Sequence, residues 1–342
     1  MRAFITGIAG PALTSEERSF LKEAQPWGLI LFRRNVTDPD SVRGLIEEFR
    51  AAVGRHAPVL IDQEGGRVQR LGPPHWPSYP PGAAYGALYD RDRNLGLAAA
   101  RLGARLIAAD LEALGVDVDC APIADVPIAG ADPVVGDRAY GTDPVKVAAI
   151  AGAIAEGLNE GGVLPVLKHI PGHGRATADS HDRLPVVGTD RATLEATDFA
   201  AFRPLAALPL GMTAHVVFTA IDPVAPATTS ATIVRDVIRD SIGFGGLLMS
   251  DDISMGALSG SLGERARAAL AAGCDMVLHC NGKMPEMLAV AAEAPLLAGV
   301  ASRRAEAALA ARKPPRPFEF AGPLDAFFKL MAGIWQPVVG AA

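Results

Sequence analysis

The sequence predicts a single (β/α)8 barrel of the TIM type, on three observations. Eight short apolar or β-branched runs recur along the 342 residues, alanine-rich amphipathic stretches separate them, and polar residues collect at the C-terminal ends of the runs. Alternating strands and helices build a parallel sheet. Eight units in somewhat more than the roughly 250 residues of an ordinary barrel favour closure over an open sheet.

The strand signals lie at residues 3–8, 28–32, 58–62, 116–120, 164–168, 210–215, 246–250 and 275–279. Each is a short β-rich run bounded by glycine, proline or charge. Residues 95–114, 144–159, 191–202 and 262–272 place apolar positions three and four apart, the spacing of a helix face turned to a core. No Gly- or Ser-rich linker divides the chain, so residues 1–342 are expected to form one barrel domain. The proline-rich RKPPRP at 312–317 ends the preceding helix and starts a C-terminal tail at about residue 313.

Composition narrows the function. Apolar residues make up 49% and charged residues 20%, enough to bury a large core. Lysine and arginine number 32 against 38 aspartates and glutamates, and a net charge of −6 argues against a nucleic-acid or anionic-membrane partner. The start, MRAFITGIAG, lacks the long apolar region and cleavage site of a signal peptide, so a cytoplasmic location is expected. Residues 204–221 carry no formal charge, but Pro204, Pro209, Thr213 and His215 interrupt them, which suits a buried strand better than a membrane span. The three cysteines, Cys120, Cys274 and Cys280, show no C-x-x-C spacing and read as buried reduced thiols.

Three clusters carry chemistry. IDQEGGRVQRL at 61–71 follows a strand end with Asp62, two glycines and Arg70; glycines let the backbone approach a ligand closely, and Asp62 and Arg70 suit sugar hydroxyls as well as they suit a solvated ion pair. VLKHIPGHG at 166–174 delivers Lys168 and His169 from a strand into a glycine-containing loop that carries His173, Asp179 and His181. Asp179 and His181 are one residue apart, close enough for the carboxylate to fix the imidazole's tautomer as acid–base work requires. With a nearby glycine pair and several small residues, the 172–181 loop is expected to bury little and to move. MSDDISM at 249–255 ends a strand in Asp251 and Asp252. Strand alternation turns one of them to the barrel mouth, where a carboxylate can attack or stabilise an anomeric carbon, and leaves the other to cap a helix. Arg138, in GDRAYG, reads equally as a salt bridge or a ligand contact, and His215 as a substrate contact or a barrel-mouth hydrogen bond.

Taken together and in this order, ILFRRN, IDQEGGRVQRL, CAPIADV, GDRAYG, KHIPGHG, DSH and MSDDISM resemble glycoside hydrolase family 3. The single-domain length and the loop from KHIPGHG to DSH look most like the bacterial β-N-acetylglucosaminidase branch, which trims peptidoglycan fragments during cell-wall recycling. The resemblance implies a retaining β-N-acetylhexosaminidase with Asp251 as nucleophile and His181 with Asp179 as an acid/base dyad. It also implies that Asp62, Arg70, Arg138, Lys168 and His169 hold the non-reducing sugar of a muropeptide. No cofactor or metal is implied, and a monomer is expected. Arg175 and Ile170 depart from the family pattern, which often has a small or acidic residue and an aromatic at those places. Other readings of the same residues are a family 3 glycosidase of different sugar specificity, a hydrolase assisted by the substrate's own acetamido oxygen, a metal-dependent barrel hydrolase using His169, His173, His181 and Asp251, and a non-catalytic sugar-binding barrel.

Overall fold

In a computed structural model that describes residues 1–337, all eight runs form strands: β1 (Arg2–Thr6), β2 (Pro26–Leu31), β3 (Val59–Ile61), β4 (Val118–Asp119), β5 (Leu164–Ile170), β6 (Leu210–Thr213), β7 (Leu247–Asp252) and β8 (Met276–His279). They close into one parallel barrel in the order β1-β8-β7-β6-β5-β4-β3-β2. Around it lie α1 (Ser15–Ala24), α2 (Pro39–Val53), α3 (Gly82–Arg91), α4 (Arg93–Glu112), α5 (Pro144–Glu160), α6 (Arg191–Ala196), α7 (Asp198–Phe202), α8 (Leu262–Ala272), α9 (Met284–Glu293), α10 (Gly299–Ala310) and α11 (Ala321–Met331).

The near-continuous apolar runs are explained by burial on both faces of the strands. Along β2, Leu29 and Leu31 pack outward under the helices while Ile30 points into the barrel; Leu60 on β3 and Leu278 on β8 repeat the inward choice. The helices begin where side chains take up free backbone N–H groups: Asp38 accepts from Ser41 at the start of α2, and Ser261 with Glu264 forms a capping box on α8.

Two expectations about helices need correction. Helix α4 starts at Arg93, two residues early, because Asp92 accepts from the N–H groups of Asn94 and Leu95. The stretch 191–202 is two helices, broken at Thr197. That β-branched residue turns its hydroxyl back onto the Thr193 carbonyl at 2.7 Å and onto Asp198 at 2.7 Å, competing with the helical ladder.

The N-terminal end of the barrel is a structural floor. Asp117, just before β4, pairs with Arg50 and Arg312, each at 2.7 Å, and Asp275, just before β8, pairs with Arg239 at 2.8 Å and Arg304 at 3.0 Å. Ala305 and Ala308 of α10 belong to the same apolar cluster as the barrel interior. The tail then packs outside: Arg105 of α4 donates to the Arg316 carbonyl at 2.6 Å and stacks 4.1 Å from the Phe318 ring, while α11 buries Phe327 and Met331. All three cysteines are buried free thiols. Among the described residues no helix is long and apolar enough to cross a membrane.

Candidate active site

The C-terminal ends of the strands surround a cavity of about 290 Å³, and Asp62, Arg70, Arg138, Lys168, His169, Asp179, His181 and Asp251 all line it. The barrel thus brings to one place residues that lie up to 189 positions apart.

One wall is an alternating chain of charges around the buried Lys168. Lys168 Nζ donates to Asp62 Oδ1 at 2.9 Å and lies 2.7 Å from Glu64 Oε1; Arg70 donates to Asp62 Oδ2 at 3.0 Å. Arg138 forks onto both oxygens of Glu64 at 2.8 and 2.9 Å. Burial pushes the Asp62 and Glu64 carboxyls up, but the facing cations outweigh it and hold both below the ordinary carboxylate range. Burial alone pulls Lys168 down, and Asp62 and Glu64 reverse that and raise it. Arg70, Asp62, Lys168, Glu64 and Arg138 thus alternate in sign along the wall. The sequence alone marks no role for Glu64, because its partner Arg138 is 74 positions away. The glycine pair places it. Gly65 and Gly66 take φ of +96° and +57°, and a Cβ on Gly65 would sit 2.3 Å from the Pro80 carbonyl oxygen, so the turn after β3 requires glycine.

Asp125, in the CAPIADV segment, was also missed. Its carboxylate meets His169 Nδ1 at 2.7 Å and accepts the His173 N–H at 2.7 Å. Burial raises it, yet the adjacent His169 more than compensates and leaves it at about 2. With Nδ1 engaged, His169 has Nε2 to offer the cavity.

Asp251 is half-buried at the mouth. Burial raises its carboxyl, but His169, His215 and the Asp252 N–H, which donates at 2.7 Å, bring it below the ordinary range. Strand alternation does not separate the two aspartates as expected: both line the cavity, because the β7–β8 register slips between Met249 and Asp252 and breaks the two-residue period. Nor does Asp252 cap a helix. It accepts from the Ser254 N–H at 3.0 Å, the Ser254 hydroxyl at 2.6 Å and the Cys280 N–H at 3.2 Å, while Ser261 caps α8. His215 contacts Thr228 Oγ1 at 2.6 Å through Nδ1 and the Asp252 carbonyl at 2.9 Å through Nε2; both ring nitrogens are spent on the barrel mouth.

Across the cavity, His181 Nδ1 lies 2.7 Å from Asp179 Oδ1, and the same oxygen accepts the His181 backbone N–H at 2.9 Å. Burial pushes Asp179 up, and the two contacts from His181 draw it lower than usual. The loop buries more than its small residues suggest. His173, Gly174, Ala176, Ala178 and Ser180 are all buried, and a Cβ on Gly174 would sit 2.1 Å from the Val126 carbonyl oxygen. Arg175 is anchored by Asp198 at 2.6 Å and Thr197 at 2.9 Å, and Ile170 is buried against Gly211 and so fills its place without an aromatic ring. Among the described residues no three His, Cys, Asp or Glu side chains gather as ligands for a metal ion.

Chemically, the cavity sets a half-buried carboxylate, held below the ordinary range, in the same pocket as an imidazole whose second nitrogen is held by a carboxylate, with a charged wall able to bind hydroxyl groups. Residues 5–305 match the family described as Glycosyl hydrolase family 3 N terminal domain. A Beta-hexosaminidase of Alkalilimnicola ehrlichii is 43% identical over 281 residues, covering 80% of this chain and 79% of that one. One from Aromatoleum aromaticum is 40% identical over 278 residues, with 80% and 78% covered. The crystal structure of NagZ from Neisseria gonorrhoeae in complex with N-trifluoroacetyl-D-glucosamine superposes with a TM-score of 0.83 at 30% identity, covering 97% of each chain.

Proposed function

Since the chain belongs to glycosyl hydrolase family 3 and is a β-N-acetylhexosaminidase, we propose that it releases terminal β-linked N-acetylglucosamine from peptidoglycan-derived muropeptides in the cytoplasm, with retention of configuration and as one catalytic domain. The observation that carries the mechanism is the cavity that Asp251 shares with the Asp179–His181 pair.

In the first step an Asp251 oxygen forms a bond to the anomeric carbon. The bond to the leaving oxygen breaks, its electron pair stays on that oxygen, and the proton of His181 Nε2 joins it. Asp179 stabilises the imidazolium before transfer and holds Nδ1–H afterwards, so the neutral ring presents an Nε2 lone pair. In the second step that lone pair takes a proton from water, the water oxygen bonds to the anomeric carbon, and the electron pair of the ester bond returns to Asp251. Two inversions give net retention. Because a histidine stands where most glycosidases use a second carboxylic acid, the separation of two carboxylates does not diagnose the outcome here.

The charged wall of Asp62, Arg70, Arg138, Lys168 and His169 supports binding of the terminal sugar, and a 290 Å³ cavity is at the small end of ligand sites, which suits one ring rather than an internal stretch of polymer. Turnover of p-nitrophenyl N-acetyl-β-glucosaminide, with the anomer first released identified by NMR, tests the reading. The β-anomer supports it, and initial α-anomer or the absence of turnover overturns it.

A further inference from the structure

The geometry points to Ser180 as a positioning residue that holds the acid–base dyad from behind, an inference that rests on the reading of Asp179 and His181 as that dyad. In the turn Asp179-Ser180-His181, the carboxylate of the first residue accepts both the backbone N–H and the ring nitrogen of the third. The first and third side chains therefore share one side, and the middle one points away. His181 is accordingly 65% exposed in its side chain, whereas Ser180 is 3% exposed.

Among the described residues the Asp179 and His181 side chains hydrogen-bond only to each other. What fixes the pair in space must act through the backbone and through Ser180. The Ser180 hydroxyl lies 3.0 Å from His173 Nε2, and the N–H of His173 is itself held by Asp125, the residue that orients His169. The Ser180 carbonyl accepts the Ala257 N–H at 3.0 Å, and the His181 carbonyl accepts the Gly256 N–H at 2.9 Å. Gly256 and Ala257 follow β7, which carries Asp251. Through Ser180 the turn is thus tied on one side to the sugar-binding loop after β5 and on the other to the segment bearing the nucleophile. The second tie needs glycine: a Cβ on Gly256 would sit 2.8 Å from the His181 carbonyl oxygen and 2.6 Å from that of Asp182. Neither atom is the end of a flexible side chain, so the turn itself would have to shift.

A misplaced proton donor costs rate only where the leaving group needs the proton. Ser180→Ala and Gly256→Ala are therefore compared with the wild-type enzyme and His181→Ala on p-nitrophenyl and methyl N-acetyl-β-glucosaminides. For both positioning variants kcat/KM on the methyl glycoside is expected to fall by about ten- to a hundredfold, while the nitrophenyl value changes by less than about threefold. Azide is expected to yield some β-glycosyl azide with each. The retained nitrophenyl activity reports a folded site. Equal losses on the two substrates, or wild-type behaviour on both, would overturn the role of Ser180. If His181→Ala shows the leaving-group split and the positioning variants do not, the positioning role alone fails. If His181→Ala shows no split, the dyad reading fails and this inference with it.

Discussion

Asp179 Oδ1 accepts both the ring Nδ1–H and the backbone N–H of His181, at 2.7 and 2.9 Å, so one carboxylate oxygen fixes the tautomer and the orientation of the imidazole together. The nitrogen left to meet a substrate is Nε2. His181→Ala is therefore expected to lower turnover of a sugar-leaving substrate by roughly 10²–10⁴-fold. A nitrophenyl substrate, which departs unprotonated, suffers much less in the first step. Its glycosyl-enzyme then accumulates for want of a base, the apparent KM falls, and azide restores turnover as a β-glycosyl azide. Asp179→Ala is expected to give a milder form of the same defect. Equal losses on both substrates with no azide product would assign the proton to another group.

The aspartates of β7 are separated by their partners rather than by strand alternation. Asp251 faces His169 and His215 electrostatically, whereas both Asp252 oxygens are occupied by Ser254. Asp251→Asn is expected to abolish nearly all turnover with the fold intact. Asp252→Asn loses part of the Ser254 and Cys280 contacts and is expected to cost less activity but more stability. Steady-state kinetics and denaturant titration of the two variants check this, and an Asp252→Asn enzyme as inactive as Asp251→Asn contradicts it.

Lys168 is the buried cation between two half-buried carboxylates, Asp62 and Glu64. Lys168→Met leaves that pair with fewer counter-charges and is expected to lower stability by about 3–5 kcal/mol, the usual cost of breaking a buried ion pair. Glu64→Gln, which keeps the shape but frees Arg138 from its fork, is expected to raise KM more than it lowers kcat. A Lys168→Met protein as stable as the parent in urea would mean that the charged wall is solvated.

Burial takes His173 from its ordinary 6.5 down to about 4. Between those values the unfolded chain binds a proton that the folded chain refuses, so stability is lost as pH falls from 6.5 toward 4. The slope contributed is at most about 1.4 kcal/mol per pH unit. Asp110, which burial raises to about 6, works in the opposite direction over part of that window, so the effect is read as a difference. Unfolding free energies of wild type and His173→Gln, measured from pH 4 to 7, are expected to diverge in slope, with the parent steeper. Parallel curves would show that His173 titrates normally.

The barrel was legible because eight apolar runs, buried on both faces, leave an unmistakable period, and because catalytic groups must sit at their C-terminal ends. That constraint marks Asp62, Lys168, His169 and Asp251 by position alone. Glu64, Asp125 and Ser180 escaped because their value lies in partners remote along the chain or on the far side of a turn: Arg138 for Glu64, 74 positions on, and His169 for Asp125, 44 positions on. Asp252 was misread because a register slip in β7 suspends the alternation on which the reading depended. The 172–181 loop was expected to bury little because glycine and alanine carry small side chains, but small side chains are what allow Gly174 to lie against the Val126 backbone.

The most direct test of the account is to trap the intermediate. Incubation with a 5-fluoro N-acetyl-β-glucosaminyl fluoride slows both steps and, with a good leaving group, lets the glycosyl-enzyme accumulate; peptide mass spectrometry then locates the sugar. The account predicts one 5-fluoro-N-acetylhexosaminyl adduct, carried on Asp251 and absent from Asp251→Asn. An enzyme that turns over the chromogenic substrate yet yields no adduct, or carries it on Asp252 or another residue, would contradict nucleophilic attack by Asp251.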